Sequence, residues 1–184
     1  MTFDLATILF FDEVNRFQFF FIFSYFADGF AFAGESLTGK AVGAKDNILL
    51  SKTVRQLMYW GMGAAIITSL AYLAGIDIFM KALTSNHNIR ELAKEYSFWV
   101  IIIPITSTAA FMWDGIYVGV TASKEMRNVM IISSVIVFLP AYYLTQSIWG
   151  NDALWFALNL FMAARTLLMW VRWNNVKSTH GLRH

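Results

Sequence analysis

Three charged side chains stand inside runs that are otherwise apolar: Asp28, Asp114 and Arg165. A carboxylate at the centre of a membrane-crossing helix costs about 2.5–3.5 kcal/mol on insertion scales, so it needs a compensating contact or a function. Such an acid can take up and release a proton or hold a cation. It can also simply cap or bridge helices through hydrogen bonds. Arg165 lies in FMAARTLLMW, too far from the ends of its run to snorkel easily. It is expected to face a bundle interior and to pair with an acid or with carbonyls.

The two acids share a setting. Residues 25–46 read YFADGFAFAGESLTGKAVGAKD, and residues 111–128 read FMWDGIYVGVTASKEMRN. Asp28-Gly29 is echoed by Asp114-Gly115 about 86 residues later, and the basic loop of Lys40 and Lys45 by Lys124 and Arg127. Recurrence within one chain favours a functional pair lining a polar pathway. Glu35 lies two turns beyond Asp28 on nearly the same helix face, where a gate or an anchor for the loop is expected. Gly29, Gly115 and Gly119 are expected to serve helix packing. Gly115 and Gly119 form G-x-x-x-G, as do Gly39 and Gly43, a spacing that lets helix backbones approach.

Other chemistry is excluded. GESLTGK at residues 34–40 matches G-x-x-x-x-G-K, but Ala41 stands where a phosphate loop needs Ser or Thr for magnesium. The run before it is long enough to cross a bilayer rather than form a buried strand. His87, His180 and His184 are spaced unlike ligands, and no nucleophile stands with a base. Neither an enzyme nor a metal or cofactor site is expected. The basic residues are dispersed between apolar runs, so nucleic acid is not a partner.

The elements that must position these residues are membrane helices. Of 184 residues, 58% are hydrophobic and only 14% charged, against about 25% charged in a soluble domain. Mean hydropathy is +0.53. There is no cysteine, which removes disulfides and thiolate sites. Five apolar runs approach or exceed the roughly 20 residues a spanning helix needs, at about 14–37, 57–80, 96–121, 129–149 and 153–173. The expectation is one all-α transmembrane domain over residues 1–184, a polytopic bundle of five spans. Residues 1–16 are read as the outer end of the first helix, with a short interfacial piece as an option, because Asp12-Glu13 breaks the apolar stretch there. Pro104 and Pro140 fall inside spans, where proline is tolerated but kinks the helix. Residues 86–95 read as a short amphipathic helix with a solvated face. Nine Lys and Arg residues fall on the side of the first and third loops and the tail, and three on the other side. That bias places the carboxyl terminus in the cytoplasm of a chain in the inner (plasma) membrane.

The segments DGFAFAGESLTGKAVGAKD, WDGIYVGVTASKEMRNVM and NDALWFALNLFMAARTLLMWVRW resemble the multidrug and toxic compound extrusion (MATE) family, in its DinF-like branch. The resemblance implies a twelve-helix antiporter of two six-helix lobes that exports organic cations and other toxic compounds against a proton or sodium gradient. It places this chain at helices eight to twelve, most of the C-terminal lobe, with Asp28 on helix eight, Asp114 on helix ten and Arg165 on helix twelve. The helix-ten acid contributes to the cation site of the sodium-coupled branch, whereas proton coupling in the DinF-like branch is assigned to a helix-one acid. Helices one to seven are not in this sequence, so the chain is expected to be part of a transporter, with an N-terminal lobe as partner in a separate chain as one option. The rival expectation is a non-transporting membrane protein that keeps the lobe fold and packs against a partner.

Overall fold

The computed structural model describes residues 5–83, 97–150, 152–179 and 181, with side chains for 20–75, 98–99, 101–150, 152–179 and 181. The elements are α1 (Leu5–Gly43), α2 (Asn47–Leu83), α3 (Ser97–Gly119), α4 (Ser123–Ile132), a π-helical segment (Ser133–Phe138), α5 (Leu139–Trp149) and α6 (Asp152–Thr179). The π segment joins α4 and α5 into one rod, so the described residues form an all-α bundle of five rods. Four of them are long and apolar enough to cross a membrane: Asn47–Gly75, Ile101–Gly119, Ser123–Trp149 and Asp152–Thr179. The described part of α1 is as long but carries Asp28, Glu35 and Lys40 among its apolar residues. Side chains such as Phe21, Tyr25, Ile67, Leu70, Leu144 and Ile148 are exposed. A surface that apolar belongs against lipid.

One correction to the sequence reading follows. Residues 38–43 are helical rather than a loop, because α1 runs on past the expected end near Leu37, through Lys40 to Gly43. Thr38 is buried there and donates its hydroxyl to the Gly34 carbonyl at 2.6 Å, turning a polar side chain back onto its own helix. The first basic loop therefore begins four turns beyond Asp28. Residues 5–16 continue α1 without a break. The amphipathic segment expected at 86–95 lies outside the described residues.

Both rods that carry an acid end in the same way. Lys45 N donates to Val42 O at 2.9 Å and Asp46 N to Ala41 O at 3.0 Å, with Lys45 at φ 55°. Thr121 N donates to Val118 O at 2.9 Å and Ala122 N to Tyr117 O at 2.8 Å, with Thr121 at φ 61°. These are Schellman caps, with a left-handed residue reversing the chain and satisfying the last carbonyls. The Asp46 carboxylate then accepts from Leu49 N at 2.8 Å and starts α2.

The centre of the bundle is α3, which packs against α1, α2, α4 and α6. The inward stripe of α1 is Phe23, Ala27, Gly34, Thr38 and Ala41, at helical spacing. Among the described residues, two apolar clusters stand in the interior. Trp113, Tyr117, Val120, Leu50 and Met169 belong to one, at the end where the loops after α1 and α3 lie. Phe23, Ala27, Ile103 and Trp155 form the other, further along the bundle.

Candidate functional site

Between the two apolar clusters α3 carries Asp114 and α6 carries Arg165. Arg165 Nη2 donates to Asp114 Oδ2, forming a salt bridge between side chains that are 9% and 23% exposed. Low exposure on both sides makes the pair one of partly desolvated charges, held by their attraction rather than by water. Arg165 Cζ also lies 5.9 Å from the centroid of the Phe161 ring, within reach of a cation–π contact. The pair leaves capacity unused. Asp114 Oδ1 and Arg165 Nε are buried without a hydrogen-bond partner, as are the hydroxyls of Thr166 and of Ser24 on α1. A buried polar atom without a partner is costly and marks a place where another group can bind.

Asp28 is half-buried on α1 and lies within electrostatic reach of Asp114 as a like charge. The helix register accounts for this. A Cβ on Gly115 would collide with Ala31 O, and one on Gly119 would collide with Thr38 Oγ1 and meet Glu35 O at 2.5 Å. The α1 and α3 backbones thus touch at Ala31–Gly115 and again one turn later at Glu35–Gly119, which brings Asp28 to nearly the level of Asp114. Gly29 does not pack: a Cβ there would have nothing within 4 Å in this chain. It precedes Ala31 by two residues, about 200° around the helix, and so points away from α3. Glu35 is exposed, and its side chain takes no part in the Asp114–Arg165 pair. Its carbonyl, not its carboxylate, makes the contact with α3.

Three further contacts tie α3 to α6. Trp99 Nε1 donates to Asp152 Oδ1 at 3.0 Å, Thr106 Oγ1 to Asn159 Oδ1 at 2.7 Å, and the Tyr117 hydroxyl to the Met169 carbonyl at 2.8 Å. With the ion pair they form a polar seam between parallel helices. Sequence reasoning misses Thr106 and Asn159. The near-constant separation of the partners, 51 to 53 residues, is a signal only once the two helices are known to be neighbours. Among the described residues, no three His, Cys, Asp or Glu side chains gather as a metal site would need.

The MatE family model matches residues 15–143, more than half of the chain. The chain belongs to the MatE family. It is 35% identical over 150 residues to DNA damage-inducible protein F of Escherichia coli (strain K12), a stretch covering 82% of this chain and 32% of that protein. It is 22% identical over 142 residues to Protein DETOXIFICATION 42 of Arabidopsis thaliana, covering 77% of this chain and 27% of that protein. The chain spans a third or less of the length of these curated relatives. No solved structure matches it. Members of the MatE family are membrane transporters and not enzymes, and the DinF-like resemblance agrees with the E. coli relative.

Proposed function

We propose that this MatE chain forms most of the C-terminal lobe of a cation-coupled antiporter, exporting organic cations or other toxic compounds against a proton or sodium gradient. The observation that carries the reading is the Asp114–Arg165 pair with Asp114 Oδ1 left unpartnered beside a second acid, Asp28. A carboxylate with one oxygen neutralised and one free can accept a proton or a cation without breaking the bundle. Arg165 limits the cost of holding it ionised in a membrane. Asp28, level with it on α1, is a second stop on the same polar pathway. Glu35, exposed nearer the loops, is assigned the gate. In this reading the chain lies in the inner membrane with its carboxyl terminus in the cytoplasm.

The test is made in a complete transporter containing this lobe. Asp114→Asn keeps the shape but loses the charge. Export of ethidium per molecule of transporter in the membrane is expected to fall about ten-fold or more, the effect of losing a charged hydrogen bond of roughly 1.5–3 kcal/mol. Full export by Asp114→Asn would leave the acid a structural bridge and the lobe without a coupling role.

A further inference from the structure

Outside the acid site, the bundle has a long groove on another face. No Cα atom of α2 lies within 8 Å of one in α6 among the described residues, although both rods pack on α3. They therefore stand apart like two walls, with α3 as the floor. Three cavities of about 480–490 Å³ each follow one another along α2, the first lined by α2 alone and the other two lying in this gap. The first, at the start of α2, is lined by Asn47, Ile48, Ser51, Lys52 and Arg55. The second shares Arg55 and is otherwise apolar and aromatic, with Met58, Tyr59, Trp113, Trp170 and Trp173 among its lining. The third shares Met62 and Trp170 with the second and continues along Ile105, Ala109, Ala163 and Leu167.

We propose that this groove binds one anionic phospholipid, its phosphate at Lys52 and Arg55 and an acyl chain laid along Met62, Trp170 and Ala163. Three features select that occupant. The chemistry runs from cationic to aromatic to apolar in one direction, which matches an amphiphile with a single negative end. A spanning helix without an acid at this end would leave Lys52 and Arg55 facing it uncompensated. An organic cation is repelled at the same two side chains. The dimension also fits: Asn47 to Met62 is about 22 Å of helix, close to half of a bilayer of roughly 40–45 Å with its headgroups. The part of α2 that lines the groove is therefore about one leaflet deep. Tyr59 and Trp170, 73% and 64% exposed, stand along its rim and leave it open to the bilayer.

The experiment is mass spectrometry of the intact full chain, released from a neutral detergent after equilibration with dioleoyl phosphatidylglycerol or dioleoyl phosphatidylcholine. One phosphatidylglycerol is expected to stay bound in preference to phosphatidylcholine. Arg55→Gln, an exposed position, is expected to lower that retention about five-fold, the share of one basic residue near an anionic surface. Lys124→Gln, at the same end of the bundle but away from the groove, is expected to leave it unchanged. Met62→Trp, which fills the groove, is expected to expel the lipid whatever its headgroup. Equal retention of the two lipids, or equal losses in Arg55→Gln and Lys124→Gln, would overturn the proposal, as would lipid retained undiminished by Met62→Trp. So would a crosslink showing another segment of the protein seated between α2 and α6. None of these readouts depends on transport.

Discussion

The energetic position of Arg165 is set by what it would leave behind. Replacing one member of a desolvated ion pair costs about 3–5 kcal/mol because the other charge remains uncompensated. Arg165→Met is therefore expected to lower the unfolding midpoint strongly. Arg165→Met with Asp114→Leu should recover much of the loss, since removing both charges leaves nothing to compensate. Thermal unfolding of the two variants in one detergent checks this, and a double variant as weak as the single one would show that the pair itself supplies net stability. Both charges are legible in the sequence, since each stands alone in an apolar run. Their pairing is not. It depends on α3 and α6 lying parallel and adjacent, which two apolar runs of similar composition do not declare. Asn159 escapes notice for a related reason: one amide in a span has no obvious partner until Thr106 is seen opposite.

The glycines separate the elements that touch from those that do not. Gly115 admits the α1 backbone, and even a methyl group there would collide with Ala31 O. Gly115→Ala is expected to destabilise the bundle by about 1–3 kcal/mol, because backbone cannot move aside as a flexible side chain can. Gly29→Ala has open space and should be neutral or stabilising by up to about 1 kcal/mol through helix propensity. Unfolding by a denaturing detergent in mixed micelles ranks the two, and equal losses would mean that α1 and α3 do not cross as described. The G-x-x-x-G spacing makes Gly115 and Gly119 readable. The matching Asp-Gly pair misleads at Gly29, because likeness along the chain is not likeness in space. The spatial counterpart of Gly115 is Ala31, two residues further on.

At the scale of the molecule, the all-α bundle is legible from run lengths and the absence of two-residue alternation. The gap between α2 and α6 is not, because nothing in either run says which neighbour it lacks. Two outcomes test the whole. A reporter fused after His184 is expected to be active only in the cytoplasm, from the excess of basic residues on that side. Activity on the opposite side would invert the topology. Cells given these residues alone are expected to show no uncoupler-sensitive ethidium efflux, because the proposed pathway needs a second lobe. Efflux from this chain by itself would contradict that division of labour.

The segment Ser133–Phe138 has a consequence for how this protein can vary. At the end of its wide turn Leu139 donates its backbone N–H to Ser134 O, five residues back, and a turn of that kind carries one residue more than a regular helix needs. Val129 before it and Ser133 at its start face inward, and Phe138 at its end, which packs on Phe161, faces inward again. Losing one residue here would restore ordinary winding and leave both flanking faces where they are. Losing one in α4 would instead swing everything beyond it by about 100°. Single-residue gaps among sequences of this kind should therefore gather at 133–138 and be rare on either side.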